Sequence, residues 1–334
     1  MATSLPSDMK VYNEQFFAGY TEELEKNLAV FNANSANTIL MSSDVTNGEF
    51  IKEAYLAKIS GLVTRRDNTS TSSVTGLKAT QGEIVKVDRS IKIGPVEFTD
   101  EAVHKGNMTF DEMVFLLGQQ AAEEVMNEHV DAVLYALQGA YNVTALSNGL
   151  VQDSSGATMT HNILNNGLAK MGDQASKVSA WVMHSSVFFE LQGQAITDKI
   201  DSVAGTVIYG GNPGTLGRPV IVTDSDALFS NGSSSVSTDN YYTTYGLVPA
   251  AAEVQQTRVG NPVIERVGGN EQIINRMQAE ENHTIGIKGM SFNTATVNPT
   301  VAQLASSSNW TQSLSQLKAL AGVQIKTKKT NALG

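Results

Sequence analysis

Two glutamates, Glu124 and Glu128, stand four residues apart in "EEVMNEHVD", a spacing that sets both carboxylates on one face of a helix, one turn apart. Such a pair binds a divalent cation weakly at best, and far more often forms a solvated acidic face. The histidines His104, His129, His161, His184 and His283 include no His-x-x-x-His pair and no His-Glu-x-x-His spacing, so their placement predicts no zinc site. "MHSS" sets His184 before Ser185 and Ser186, but the Gly-x-Ser-x-Gly elbow is absent, and adjacent residues on a strand face opposite ways. In "GGNPGTLGRPVIVTDSD", from Gly210 to Asp226, Gly211, Gly214 and Gly217 recur every third residue. A phosphate loop needs Gly-Lys-Ser/Thr leading into a helix, and a dinucleotide fingerprint follows a strand; here Arg218 and Pro219 lead into one. The expected role is a flexible turn feeding a buried strand, Pro219 to Thr223, with Asp224 and Asp226 ending it. Without cysteine there is no thiolate ligand, disulfide or cysteine nucleophile. The reading is therefore no catalytic residue, no cofactor site and no metal site.

The charge balance narrows the partners. The 334 residues carry a formal charge of −10, and the isoelectric point is near 5.0. Tight nucleic-acid binding needs clustered Lys and Arg, which this balance argues against. The densest positive clusters are Arg65 with Arg66, and Lys326, Lys328 and Lys329. Hydrophobic residues make up 41% and charged residues only 17%, which suggests a surface covered by copies of itself or by a partner. The N-terminus lacks the uninterrupted apolar core of a secretory signal, and no apolar run reaches membrane-span length, so the expected compartment is cytoplasmic.

These residues need elements to position them. Residues 1–56 mix helical patches such as "TEELEKNLAVF" with polar breaks and read as an arm. Then "GLVTRR" is strand-like, "DNTSTSSVTGLKATQG" is polar, and "EIVKVDRSIKI" alternates with period two. Two strands flanking so long a polar tip have little apolar material to fold back on, so this hairpin is expected to lie on a neighbouring subunit. Thr109 and Glu112 form a capping box opening a helix over 109–139. Its apolar stripe runs through Phe110, Met113, Val114, Leu117, Ala121, Val125, Val130, Val133, Leu134 and Leu137; Gly118 permits a close crossing, and Gly139 offers a stop.

An α/β region follows: "NILNNGLAKMGDQ" as helix, "VSAWVMHS" as buried strand, "SVFFELQGQAI" as helix and "RPVIVTD" as strand. Residues 229–240 read as a polar exposed loop. Strands return at "YYTTYGLV" and "NPVIERVGG", and "EQIINRMQAEENHTIGIKGMSF" reads as an extended strand pair. "GVQIKTKKT" reads as a strand edge with a basic end.

The order arm, long hairpin, long helix, α/β domain and return strands resembles the major capsid protein family of tailed bacteriophages, with the Hong Kong 97-like fold. "WVMHSSVFFELQ", "LGRPVIVTDSDAL", "IGIKGMSF" and "NPTVAQLASSSNW" resemble stretches of such proteins, and the likeness covers about 55–325. The resemblance implies an α+β fold with an N-terminal arm at 1–56 and an extended hairpin, the E-loop, at 57–106. A peripheral domain would comprise 107–141 and 258–297, with a spine helix and a long sheet; an α/β axial domain would span 142–257, and a C-terminal segment 298–334. It implies no enzyme but a coat protein forming hexamers and pentamers of an icosahedral head around double-stranded DNA, assembled in the host cytoplasm.

The implied partners are further copies of the chain, a separate scaffolding protein (the chain opens with only a short arm), a portal, a decoration protein, and DNA held without sequence-specific contacts. No membrane is implied. Arg65 and Arg66 are expected to pair with a neighbour's acidic groups, such as Glu124 and Glu128, and Arg218 joins them as a candidate assembly contact. The family's covalent Lys–Asn cross-links find no matching local context here. Two other readings remain open: an encapsulin-type shell enclosing protein cargo, and an α/β hydrolase or nucleotide-dependent enzyme.

Overall fold

The computed structural model describes residues 6–43, 48–57, 59, 61–147, 149–202, 216–230, 240–260, 262–268 and 271–328. The chain opens with helix α1 (Pro6–Asn34). Ala36 and Asn37, both at positive φ, then turn it into strand β1 (Ile39–Ser43). β2 (Phe50–Leu56) and β3 (Gln81–Thr99) are the arms of the expected hairpin, with Phe50 opposite Val87 and Leu56 opposite Gln81. The outgoing arm therefore lies before "GLVTRR", not in it. Those residues have no strand beside them to complete a backbone ladder, and 61–80 has no regular secondary structure.

Thr99 caps the short α2 (Asp100–Lys105). Thr109 opens α3 (Phe110–Tyr141) with the predicted capping box: its hydroxyl accepts from the Glu112 N–H at 3.3 Å, and the Glu112 carboxylate accepts from the Thr109 N–H at 2.8 Å. The expected stop at Gly139 is corrected, because the helix runs on to Tyr141 and Gly139 is buried within it. A Cβ at Gly139 would lie 2.7 Å from the Trp310 indole nitrogen and closer still to the Leu304 carbonyl, so glycine is there to admit a neighbour. Gly118 does serve a close crossing, since its Cβ would come within 2.6 Å of the Phe16 carbonyl of α1.

The remaining elements follow in order. α4 (Thr144–Ser147), β4 (Val151–Ser154) and α5 (His161–Ala169) lead to β5 (Ala180–Met183) and α6 (Ser185–Ser202). β6 (Val220–Val222), β7 (Phe229–Ser230), β8 (Tyr241–Leu247), β9 (Ala252–Val259) and β10 (Val263–Val267) come next. β11 (Ile274–Ile287), β12 (Met290–Phe292), α7 (Val301–Ala305), β13 (Trp310–Gln312) and β14 (Gly322–Lys328) complete the chain.

Two six-stranded sheets result. One has the order β1-β9-β11-β3-β2 with β10 also on β11; the other has β4-β14-β8-β5-β6 with β7 on β8. The α+β class is as expected, with four differences in detail. The run from Glu271 to Phe292 is not a strand pair: β11 is one long strand between β3 and β9, and β12 leaves to pair with β13. β9, not anticipated, joins the long sheet. β14 is central in the shorter sheet, not an edge; Ile325 sits opposite Thr244 of β8 on one side and beside Gln152 of β4 on the other. β6 is an edge strand rather than a buried one, with Val222 42% exposed, because only β5 pairs with it. The glycine turn at 210–215 and the loop at 231–239 lie outside the described residues.

Helix α3 links two cores. Toward its start, Val114, Ala122 and Val125 pack with Phe16, Tyr20 and Leu24 of α1 and with Met277 and Ala279 of β11. Toward its end, Leu134, Leu137 and Tyr141 join Trp181, Tyr245, Val323 and Ile325 of the shorter sheet. Gly139→Ala is expected to cost about 1–3 kcal/mol from overpacking. Gly156→Ala, where a Cβ meets nothing within 4 Å, serves as a near-neutral control in the same denaturant titration.

Candidate functional site

Between those two cores the interior turns polar. On β11 the residues facing inward are Met277, Ala279, Glu281, His283, Ile285 and Ile287, so a carboxylate and an imidazole interrupt an apolar face. On α3, His129 lies one turn beyond Val125 and meets them. Its Nε2 is 2.9 Å from Glu281 Oε1, and its ring centroid is 4.5 Å from that of His283, tilted by 55°. Tyr20 of α1 donates its hydroxyl proton to Glu281 Oε2 at 2.5 Å and accepts from the Gln256 amide of β9 at 3.1 Å. Glu281 and His283 are fully buried, and His129 nearly so.

The electrostatics follow from this burial. Loss of water, with His129 and Arg89 alongside, holds His283 well below the ordinary imidazole range, so it is neutral. Burial, and the Glu281 charge beside it, push the Tyr20 hydroxyl far above the usual phenol range, so it remains a donor. Among the described residues neither ring nitrogen of His283 has a hydrogen-bond partner. His129, Glu281 and His283 are, among the described residues, a group able to hold a cation, their ligand atoms all lying within 4.8 Å of one another. The expectation of unrelated histidines is thus corrected for His129 and His283. The sequence did hold one signal: Glu281 and His283 are two apart on an alternating strand and must share a face. What it lacked was the pairing of that face with α3.

A second feature is the open side of the hairpin. Every residue from 61 to 80 is exposed, Leu62, Val63, Val74 and Leu77 among them, with Val63 at 94% and Val74 at 92%. Arg65 and Arg66 lie on this segment and make no ion pair among the described residues. β3 and α3 enclose a groove of about 610 Å³. Ile91, Ile93, Leu117 and Met277 give it apolar walls, and Glu124 and Glu128 lie along it. Glu124 is exposed, whereas Glu128 is held within the chain by an ion pair to Arg89 of β3.

The other singled-out residues have local roles. Arg218 donates from Nε to the Val178 carbonyl at 2.7 Å and from Nη2 to the Ala175 carbonyl at 3.1 Å, closing the turn before β5. His184 stacks on Tyr242, accepts the Ser186 N–H on Nδ1, and faces Asp224 through Nε2 at 3.7 Å. Lys326 lies 4.8 Å over the Tyr241 ring; Lys329 is outside the described residues. Among the described residues no helix is long and apolar enough to cross a membrane.

The profile of the Gp13-like family, major capsid protein 13-like, matches residues 8–324. No curated protein sequence matches the chain. Among solved structures, the capsid of Ralstonia phage GP4 aligns with a TM-score of 0.54 at 10% identity, covering 89% of this chain and 88% of that one. A structure from Mycobacterium phage Cain aligns with a TM-score of 0.51 at 10% identity, covering 87% and 89%. One from Mycobacterium phage Adephagia gives 0.50 at 9% identity, covering 88% and 89%. At such identities the likeness is one of fold.

The polar cluster supports a stability test. Tyr20→Phe removes the hydroxyl between Glu281 and Gln256 and strands both, which is expected to cost about 1–3 kcal/mol. Urea unfolding followed by tryptophan fluorescence measures it; an unchanged midpoint would show that the network carries no stability.

Proposed function

The chain belongs to the major capsid protein 13-like family, a coat protein of the phage head, and from that premise we propose how its copies engage one another. The observation that carries the proposal is the exposed segment 61–80, whose Leu62, Val63, Val74 and Leu77 are left uncovered among the described residues. In a multi-subunit shell this segment lies on the adjacent subunit. Arg65 and Arg66 meet Glu124 along the groove between α3 and β3, while the apolar residues cover its walls. Glu128, already bound to Arg89, shapes the groove, and Arg218 acts indirectly by fixing the turn it closes.

Charge pairing of this kind sets register more than strength, and a ring of weak contacts becomes strong through closure. The rings proposed are hexamers and pentamers of an icosahedral head. Within each subunit the peripheral domain comprises 107–141 and 258–297, joined by β1, β3 and β9, which share its sheet. The axial domain is 142–257 without β9 and with β14. The arm at 1–56 contributes α1 as packing for α3.

Assembly in the host cytoplasm with a separate scaffolding protein, a portal and a decoration protein completes the proposal. Double-stranded DNA is enclosed without sequence-specific contacts, as suits a chain of formal charge −10. The role is structural. The family match favours it over an encapsulin-type shell or a hydrolase.

Double charge reversal, Arg65→Glu with Arg66→Glu, tests the contact. Shell yield by electron microscopy and sedimentation is expected to fall about tenfold or more, as a loss near 1.4 kcal/mol per contact dictates. Adding Glu124→Arg is expected to restore part of it. Wild-type shell yield from the reversed chain would overturn the pairing.

A further inference from the structure

We infer that His129, Glu281 and His283 form a structural binding site for a transition-metal dication, with zinc the best match to its donors. The cluster is built as metal sites are built. His129 comes from α3, and Glu281 and His283 share one face of β11, so three ligands converge from two elements already fixed by packing. Their donor atoms all lie within 4.8 Å of one another, with His129 Nε2 and Glu281 Oε1 2.9 Å apart. Tetrahedral zinc with bonds of about 2.0–2.1 Å needs ligand atoms roughly 3.3 Å apart. That spacing falls inside the range seen, so small side-chain rotations suffice.

His283 is the independent sign. It is fully buried and, among the described residues, without a hydrogen-bond partner on either ring nitrogen. Leaving such a group unpaired is destabilising, and an imidazole with a free lone pair is the form that binds metal. The surroundings resemble an outer coordination shell. Tyr20 holds Glu281 by its Oε2, which directs Oε1 toward His129, and Gln256 in turn holds Tyr20. Arg89, the nearest basic side chain, is neutralised by Glu128.

Two imidazoles and one carboxylate suit zinc among the common ions; calcium and magnesium prefer shells made of oxygen. A bound ion joins α3 directly to β11, and through Tyr20 and Gln256 reaches α1 and β9. It thereby locks the junction between the two cores.

The test uses the full chain produced in zinc-supplemented medium, washed with EDTA and analysed by plasma mass spectrometry, whether assembled or not. About one zinc per chain is expected in the wild type, and less than about a tenth of that in His283→Leu and Glu281→Gln. A wild-type chain with under a tenth of a zinc, or variants that retain as much as the wild type, would overturn the site. Should the variants fail to fold, the wild type alone decides. Chain grown in zinc is expected to unfold several degrees higher than chain grown in metal-depleted medium, and cobalt-grown chain to show the visible bands of a tetrahedral ion. Equal unfolding temperatures together with featureless cobalt spectra count against it. The metal content does not depend on shell formation, so this inference and the hairpin contact fail separately.

Discussion

A single helix shared by two cores is the constraint on which the rest of this fold depends. At 1.5 Å per residue, the 32 residues of α3 span about 48 Å, longer than either core it serves. Its first half is pressed by α1 so closely that Gly118 has no room for a methyl group against the Phe16 carbonyl. Its last turns are pressed by the segment around Leu304 and Trp310, where Gly139 plays the same part. These two contacts lie on opposite halves of the helix, and any shift along its axis would break both. The capping box at Thr109 fixes where the helix starts, so helix register and the two core registers are a single choice.

The β3–β11 ladder is the second rigid member, and it is set by the first. Thr99 pairs with Ile274 and Val87 with Ile285, so the two strands run together from the start of α2 to the base of the hairpin. The hairpin is thereby mounted on the same sheet that packs against α3. Lys86 reinforces the mounting, since its ammonium lies 2.5 Å from Glu53 of β2 and 2.7 Å from Glu253 of β9 and crosses three strands. Placing a polar cluster where apolar side chains would fit costs stability, and the usual return is specificity of arrangement. Here Glu281 and His283 admit only one partner on α3, and they stand where the helix passes from one core to the other.

Local rules made part of this legible. The capping box and apolar stripe gave α3 because they depend only on neighbours three and four residues away. Strand alternation gave β3, β8 and β10 for the same reason. β9 was hidden because its buried residues include Gln256 and Thr257, polar groups covered on the two faces of the sheet by contact with Tyr20 and Asp88 that no local pattern announces. β14 looked like an edge because Lys326 and Lys328 end it. Yet Lys326 extends over the Tyr241 ring, an amphipathic arrangement that sequence alone does not distinguish from solvent exposure. The His129–Glu281 contact spans 152 residues, and only the assembled register of helix on sheet creates it. "GLVTRR" misled in the opposite way, because its residues have strand propensity but no partner within the chain.

That last failure carries the physical argument for assembly. Propensity for extended structure, four exposed aliphatic side chains and two adjacent arginines fall on a segment that, among the described residues, meets no intramolecular surface. Each aliphatic group, once covered, contributes about 1.5–3 kcal/mol, which offsets part of the entropy of ordering the loop, about 1–2 kcal/mol per residue. A cysteine-free, acidic chain with few charges has no disulfides with which to hold an isolated subunit rigid, so contacts between copies are a source of added stability. In the proposed ring every subunit would both donate this segment and receive one. The mutual repulsion of acidic subunits would then be offset wherever Arg65 and Arg66 cross to a carboxylate. Repulsion elsewhere and attraction at that one crossing would select a single register, which a shell built from identical copies requires.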